Sequence, residues 1–264
     1  MASLATIWNL QGRFKEAMGQ RILDLEISKR VLGVEHPDTL ASMHNLASTY
    51  SDLGELDKAK ELQEQELEIS ERVLGEGHPD MLASMHNLAL TYRDLGELDK
   101  AKELQEQELE ISKRVLEVEH PDTLVSMYNL VSTYRKMGQL DKAEDLQVQE
   151  LEISERVLGV EHSGILQSKM NLAYTYWMQE RLDEAEELEV YVLGARRRVL
   201  EAENPDTLTT MSNLAITLEA RGRRGEAIAL MEEYVRLRRK VIGSDHPDTE
   251  DSLDFLSDWK EEGG

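Results

Sequence analysis

One period governs this chain. The dipeptide His36-Pro37 returns as His78-Pro79, His120-Pro121, a degenerate His162-Ser163, Asn204-Pro205 and His246-Pro247, each step 42 residues long without a gap. Self-similarity at a fixed period in this range marks a solenoid, in which each unit contacts mainly its neighbours. Complete repeats fall at 36–77, 78–119, 120–161, 162–203 and 204–245. A truncated repeat at 1–35 precedes them and a capping segment at 246–264 follows, all within one domain spanning 1–264.

Each repeat resolves into two helices. Leu40, Met43, Leu46, Ala47, Tyr50 and Leu53 recur at spacings of three and four, and Pro37-Asp38-Thr39 supplies a turn and a candidate N-cap, which predicts helix A over about 38 to 53. Gly54 stops it. Leu56, Ala59, Leu62, Leu67, Ile69 and Val73 then carry the apolar stripe of a longer helix B, which ends at Leu74-Gly75. With about two residues between them, the helices must form an antiparallel hairpin.

Leu46-Ala47, Tyr50, Gly54 and Ala59 sit at the relative spacings of the tetratricopeptide signature, in a unit longer than the usual 34 residues. The pattern N-L-A-x-x-Y-x-x-x-G, closed by R-V-L-G-x-x-H-P-D, resembles the 42-residue repeats of kinesin light chains. The run from Glu184 to Val190, through Arg198-Val199-Leu200 to Asn204-Pro205-Asp206-Thr207-Leu208, resembles more closely the C-terminal repeat arrays of fungal STAND (NLR-like) receptors. The fold so implied is all-α, a right-handed superhelix of antiparallel helix pairs. The function implied is that of a scaffold, because a repeat family describes a frame rather than a chemistry.

Composition narrows the partners. With 53 acidic against 30 basic residues the net charge is −23, which argues against broad nucleic-acid binding or a membrane surface. There is no cysteine, no 18-residue apolar run and no secretory leader pattern, so a cytoplasmic protein is expected. No Ser-His-Asp constellation, phosphate loop or H-E-x-x-H helix is present, and no catalysis and no cofactor are expected. One histidine per repeat places His36, His78, His120, His162 and His246 too far apart to share a metal ion. They are expected to close the turn before helix A. His44 and His86 face the same objection as metal ligands.

The repeats differ instructively. Units one and two are identical at 35 of 42 positions, which points to recent duplication. Unit four replaces Pro-Asp by Ser163-Gly164, the expected bend of the array, and its helix A brings Tyr174, Tyr176 and Trp177. The opening residues align inside a helix A, Trp8 with Tyr50 and Gly12 with Gly54, which suggests that an upstream domain of the same chain is missing. Leu253 and Leu256 on an otherwise acidic final helix read as a true cap.

In tetratricopeptide arrays the A helices line the inner, concave face, here at positions matching 41, 44, 45, 48, 51 and 52. Position 41 runs Ala41, Ala83, Val125, Gln167, Thr209; position 44 runs His44, His86, Tyr128, Met170, Ser212. Such drift, beside a helix B copied almost letter for letter, suits a recognition surface. One place is constant: Asn45, Asn87, Asn129, Asn171 and Asn213. An Asn amide can pair with both backbone groups of an extended peptide, and such a ladder resembles the backbone-gripping asparagines of several tetratricopeptide proteins. It could equally hold neighbouring helices together. Arg93, Arg135 and Lys136 with Tyr128, Tyr174 and Trp177 would then select a peptide of acidic and bulky apolar character.

Two charged features stand apart. Glu66, Glu108 and Glu150 fall within helix B's apolar stripe, where a carboxylate must be paired or neutralised unless the helix rolls and leaves it at the wet edge. The roll is the expectation. Arg196-Arg197-Arg198 is expected to be a solvated face with Glu partners. The reading that results is a protein-binding array, the sensor region of a fungal NLR-like receptor. The alternatives are a kinesin light chain-type cargo adaptor and a structural or self-assembly spacer.

Overall fold

The computed structural model describes residues 13–243 and 247–261. Twelve helices and no strand occur among them. α1 (Phe14–Val31) is the helix B of the truncated repeat. Helix pairs follow as α2 (Pro37–Asp52) and α3 (Leu56–Leu74), α4 (Pro79–Asp94) and α5 (Leu98–Val115), α6 (Pro121–Lys136) and α7 (Leu140–Leu158), α8 (Ser163–Met178) and α9 (Leu182–Val199), α10 (Pro205–Ala220) and α11 (Arg224–Ile242); α12 is Pro247–Glu261. Trp8 and Gly12, aligned above with Tyr50 and Gly54, and His246 lie outside the described residues.

The repeat motif explains where each A helix starts. The His36 ring accepts at Nδ1 from the Asp38 N–H at 3.1 Å, and His78 and His120 do the same for Asp80 and Asp122 at 3.2 Å. His162 serves Gly164 at 3.2 Å, and in unit five Asn204 Oδ1 replaces the ring at 2.9 Å. Four N–H groups lack helical partners at such an end, and a side-chain acceptor satisfies one of them. The histidines thus close the turn as expected, and α8 starts in the same register despite Ser163-Gly164. Thr39 adds a second clasp, donating its hydroxyl to the Gly33 carbonyl at 2.7 Å, as Thr123 does to Glu117 O at 2.8 Å.

The helices of a pair turn on a left-handed residue. Gly54, Gly96, Gly138 and Gly222 hold φ between 71° and 78°, while unit four places Glu180 there at 61°. Two residues on, helix B begins, and its alanines make the close approach possible: Ala17, Ala59, Ala101, Ala143, Ala185 and Ala227 are all fully buried. Met43, Met85, Met127 and Met211 fill the interior opposite.

The contacts divide the chain into two compact units, Met1–Gly138 and Gln139–Gly264. In the first, consecutive helices α1 to α6 pack in order around clusters such as Leu25, Leu40, Met43 and Leu46. In the second, α7 to α12 do so, and α12 adds Leu256 to a core built on Met211, Leu214 and Tyr234. Phe255 of α12 stays exposed.

Three expectations need correction here. Val73 does not join the core: with Val31, Val115, Val157, Val199 and Val241 it is exposed, while Leu74 in the same turn packs on the cluster of Leu40 and Met43 in its place. Met170 is buried in unit four, since Lys169 holds the register of Met43 and reaches out to Glu155 at 2.6 Å. Arg196 is buried rather than solvated. Its guanidinium donates to Asp206 O at 2.9 Å, Thr210 Oγ1 at 2.7 Å and Gln167 Oε1 at 3.0 Å, while Arg197 and Arg198 pair with Glu233 and Glu161 as expected.

Candidate partner-binding faces

Most of the A-helix positions named above are at least partly open to solvent, Met170 being the exception already noted. Ala41, Ala83, Val125, Gln167 and Thr209 are exposed in every repeat. Asn45 is exposed and Asn87, Asn129, Asn171 and Asn213 are half-buried beside them. Their side chains do not behave as one set. Asn87 Nδ2 stands 3.5 Å from His44 Nε2 of the preceding repeat, Asn129 Nδ2 donates to Val125 O at 3.0 Å, and Asn171 Oδ1 accepts from Gln167 at 3.3 Å. Their carbonyls, by contrast, work alike: Thr49, Thr91, Thr133 and Thr175 donate to Asn45, Asn87, Asn129 and Asn171 O at 3.0–3.3 Å.

In the first unit the histidines and glutamates meet. Glu66 and Glu108 are each 4% exposed, which overturns the expected roll to a wet edge. The reason is that one oxygen of each carboxylate is held in place, although Glu108 Oε2 has no hydrogen-bond partner. Ser84 Oγ donates to Glu66 Oε1 at 2.8 Å with His44 Nδ1 at 3.5 Å; Ser126 donates to Glu108 Oε1 at 2.7 Å with His86 Nδ1 at 3.7 Å. The His44 ring titrates above its ordinary range, chiefly through its hydrogen bond to Glu66. Glu150, in the second unit, is also buried and accepts from Ser154 at 2.7 Å.

A cavity of about 210 Å³ lies over the first of these pairs, lined by His44, Asn45, Glu66 and Ala83, and one of about 400 Å³ over the second, lined by His86, Glu108, Leu82 and Val125. Tyr128 is exposed on the same unit, with Arg93 and Arg135 half-buried and Lys136 exposed. Arg93 Nε lies 3.5 Å from Asp94 Oδ1.

In the second unit Tyr174 and Trp177 project from α8, 51% and 39% exposed. Their rings stack at a centroid distance of 6.4 Å and an interplanar angle of 7°. Beside them opens a pocket of about 180 Å³, lined by Tyr174 and Trp177 of α8, Glu189 of α9, and Asn213, Ile216 and Thr217 of α10. The expected selectivity residues fall in both units. Arg93, Tyr128, Arg135 and Lys136 belong to the first unit, and Tyr174 and Trp177 to the second.

Sequence reasoning missed Glu189, although the signal was present. The same repeat position holds Gln63, Gln105 and Gln147, and unit four alone makes it acidic. Glu189 is 3% exposed. Burial pushes its carboxyl up to about 7, and the Thr217 hydroxyl draws it back in part while standing outside hydrogen-bond geometry. Among the described residues no cluster of three or more His, Asp or Glu could hold a metal ion, and no helix is long and apolar enough to cross a membrane.

The tetratricopeptide repeat profile matches residues 1–72, 50–114, 80–149 and 122–189, and a second profile of the same description matches 207–248. The chain belongs to the tetratricopeptide repeat family. No curated protein sequence matches it. A solved Podosopora anserina kinesin light chain-like protein with nearly identical TPR-like repeats is 36% identical, with a TM-score of 0.72 over 79% of this chain and 99% of that one. A Pyrococcus horikoshii STAND protein with a tetratricopeptide repeat sensor superposes at 0.76 and 17% identity; it covers 99% of this chain, which spans 38% of that one. YrrB, a TPR protein with an unusual peptide-binding site, superposes at 0.53 and 14% identity over 87% of this chain and 96% of that one. The chain is thus a tetratricopeptide solenoid with kinesin light chain-like repeats.

Proposed function

We propose that this solenoid is a non-catalytic scaffold that binds a polypeptide segment on its A-helix face, as the sensor region of a STAND-type receptor acting in the cytoplasm. The observation that carries the reading is the exposed Tyr174–Trp177 stack beside a pocket on that face. Large aromatic rings left in water cost free energy, and aromatic and Arg anchors supply most binding energy at interfaces. The Asn45, Asn87, Asn129, Asn171 and Asn213 amides would pair with the partner's backbone. On the first unit Arg93, Arg135, Lys136 and Tyr128 would meet acidic and bulky apolar side chains. The STAND relative, which has a tetratricopeptide repeat sensor and of which this chain spans 38%, supports the receptor role; the nucleotide-binding domain of such a receptor would lie upstream in the same chain.

A cargo-adaptor role is the second reading, supported by the 36% identical kinesin light chain-like relative. Either role requires the same face. Peptides selected from a displayed random library against the whole chain should bind the Tyr174→Ala/Trp177→Ala variant at least about tenfold more weakly, at unchanged helicity by circular dichroism. Equal affinity for variant and parent would remove the A-helix face of the second unit as the binding surface.

A further inference from the structure

The pocket beside the aromatic stack has a chemistry of its own. Its wall is aromatic and aliphatic, from Tyr174, Trp177 and Ile216, and among its lining residues Glu189 alone carries a charge. Glu189 is 97% withdrawn from solvent, and its Oε2 has no hydrogen-bond partner. The neighbouring seam makes a bond that this one lacks. Gln147, one repeat earlier, accepts from Thr175 Oγ1 at 2.9 Å, whereas Thr217, the unit-five counterpart of Thr175, makes no such bond to Glu189.

Gln63 and Gln105 are also buried with unsatisfied atoms, but they are neutral, and an unpaired carboxylate costs far more to bury than an amide. Packing therefore gives no reason for the acid at this one repeat. A cation entering the pocket would. Two aromatic rings line it, and a ring face attracts a cation within roughly 6 Å of its centroid. At about 180 Å³ the pocket falls below the range of drug-sized ligand sites, so it suits a single side chain.

We propose that this pocket receives an arginine guanidinium of the partner, the cation whose planar group stacks on aromatic rings, with Glu189 as counter-charge and the Tyr174–Trp177 stack as the aromatic wall. The assignment rests on the reading that the A-helix face binds a polypeptide, and it adds a basic anchor to the acidic and apolar ones expected on the first unit. Burial, which pushes the Glu189 carboxyl up to about 7, is the cost that such a cation relieves.

The test titrates the whole chain with three probes, following the Trp177 indole resonance by NMR. They are an acetylated, amidated Ala-Arg-Ala tripeptide, its citrulline counterpart, which is isosteric and neutral, and free butylguanidinium. The arginine tripeptide should bind at least about tenfold more tightly than the citrulline one, since a charged hydrogen-bonded pair is worth that much. Glu189→Gln, which restores the residue of Gln63, Gln105 and Gln147 and so keeps the fold, should erase the difference.

Equal binding of the two tripeptides, discrimination that survives in Glu189→Gln, or no saturable response to any probe would overturn the assignment. Butylguanidinium separates a small-cation site from a side-chain site: binding tighter than the tripeptide's would overturn the polypeptide source. Library peptides that bind without preferring arginine would sink this inference and leave the A-helix reading standing. Arginine-specific tripeptide binding with no tighter longer peptide would do the reverse.

Discussion

Replacing Glu189 by Gln should raise stability, and the gain should grow with pH. The carboxyl titrates at about 7 in the folded protein against an ordinary 4.5, because it is buried without a paired cation. Between those values the folded chain keeps a proton that the unfolded chain has released, so the wild-type protein loses stability as pH rises from about 4.5 to about 7. At 1.36 kcal/mol per pKa unit, the full loss is about 3 kcal/mol above pH 7. Glutamine is neutral throughout and has no such slope. Every other titrating group cancels in the difference between the two proteins, so urea unfolding followed by circular dichroism at pH 5.5 and pH 8 isolates Glu189. The stability difference should widen by about 2 kcal/mol between those two pH values in favour of the glutamine variant. Parallel curves, agreeing within about 0.3 kcal/mol at the two pH values, would show that the carboxylate is solvated or paired in the folded protein.

Two further substitutions test the frame. His78→Ala removes the acceptor of the Asp80 N–H and should cost about 1 kcal/mol, whereas His78→Asn, the choice of unit five at Asn204, should be nearly neutral; urea midpoints compare them, and equal losses would deny the cap. Gly77→Ala should cost about 2 kcal/mol, because φ is +87° and the new Cβ would lie 2.7 Å from Val115 Cγ2. Gly54→Ala, at φ +75° with open space around it, should cost about 1 kcal/mol, and a Gly77 variant no worse than it would show that Val115 yields freely.

The 42-residue period alone determined most of the architecture. Spacings of three and four placed α2 and α3 to within a residue of Pro37–Asp52 and Leu56–Leu74, since helix boundaries are set by local chemistry: a cap, a proline, a left-handed glycine. The exposure of the A-helix positions followed from the same periodicity. What the period could not decide is how each side chain is satisfied, because that depends on atoms contributed by the next helix pair. Glu66 looked misplaced until Ser84 came to it across the seam, beside His44 of its own helix pair. Arg196 joined a run of three arginines in the sequence, yet it alone turns inward, to the carbonyl of Asp206 and to Thr210 and Gln167. Glu189 differs from Gln147 by one atom on paper. Only the packing of α8, α9 and α10 reveals that the exchange leaves a carboxylate with an unpartnered oxygen in the lining of an aromatic pocket, because the cost of burying a charge depends on the surroundings that tertiary structure assembles.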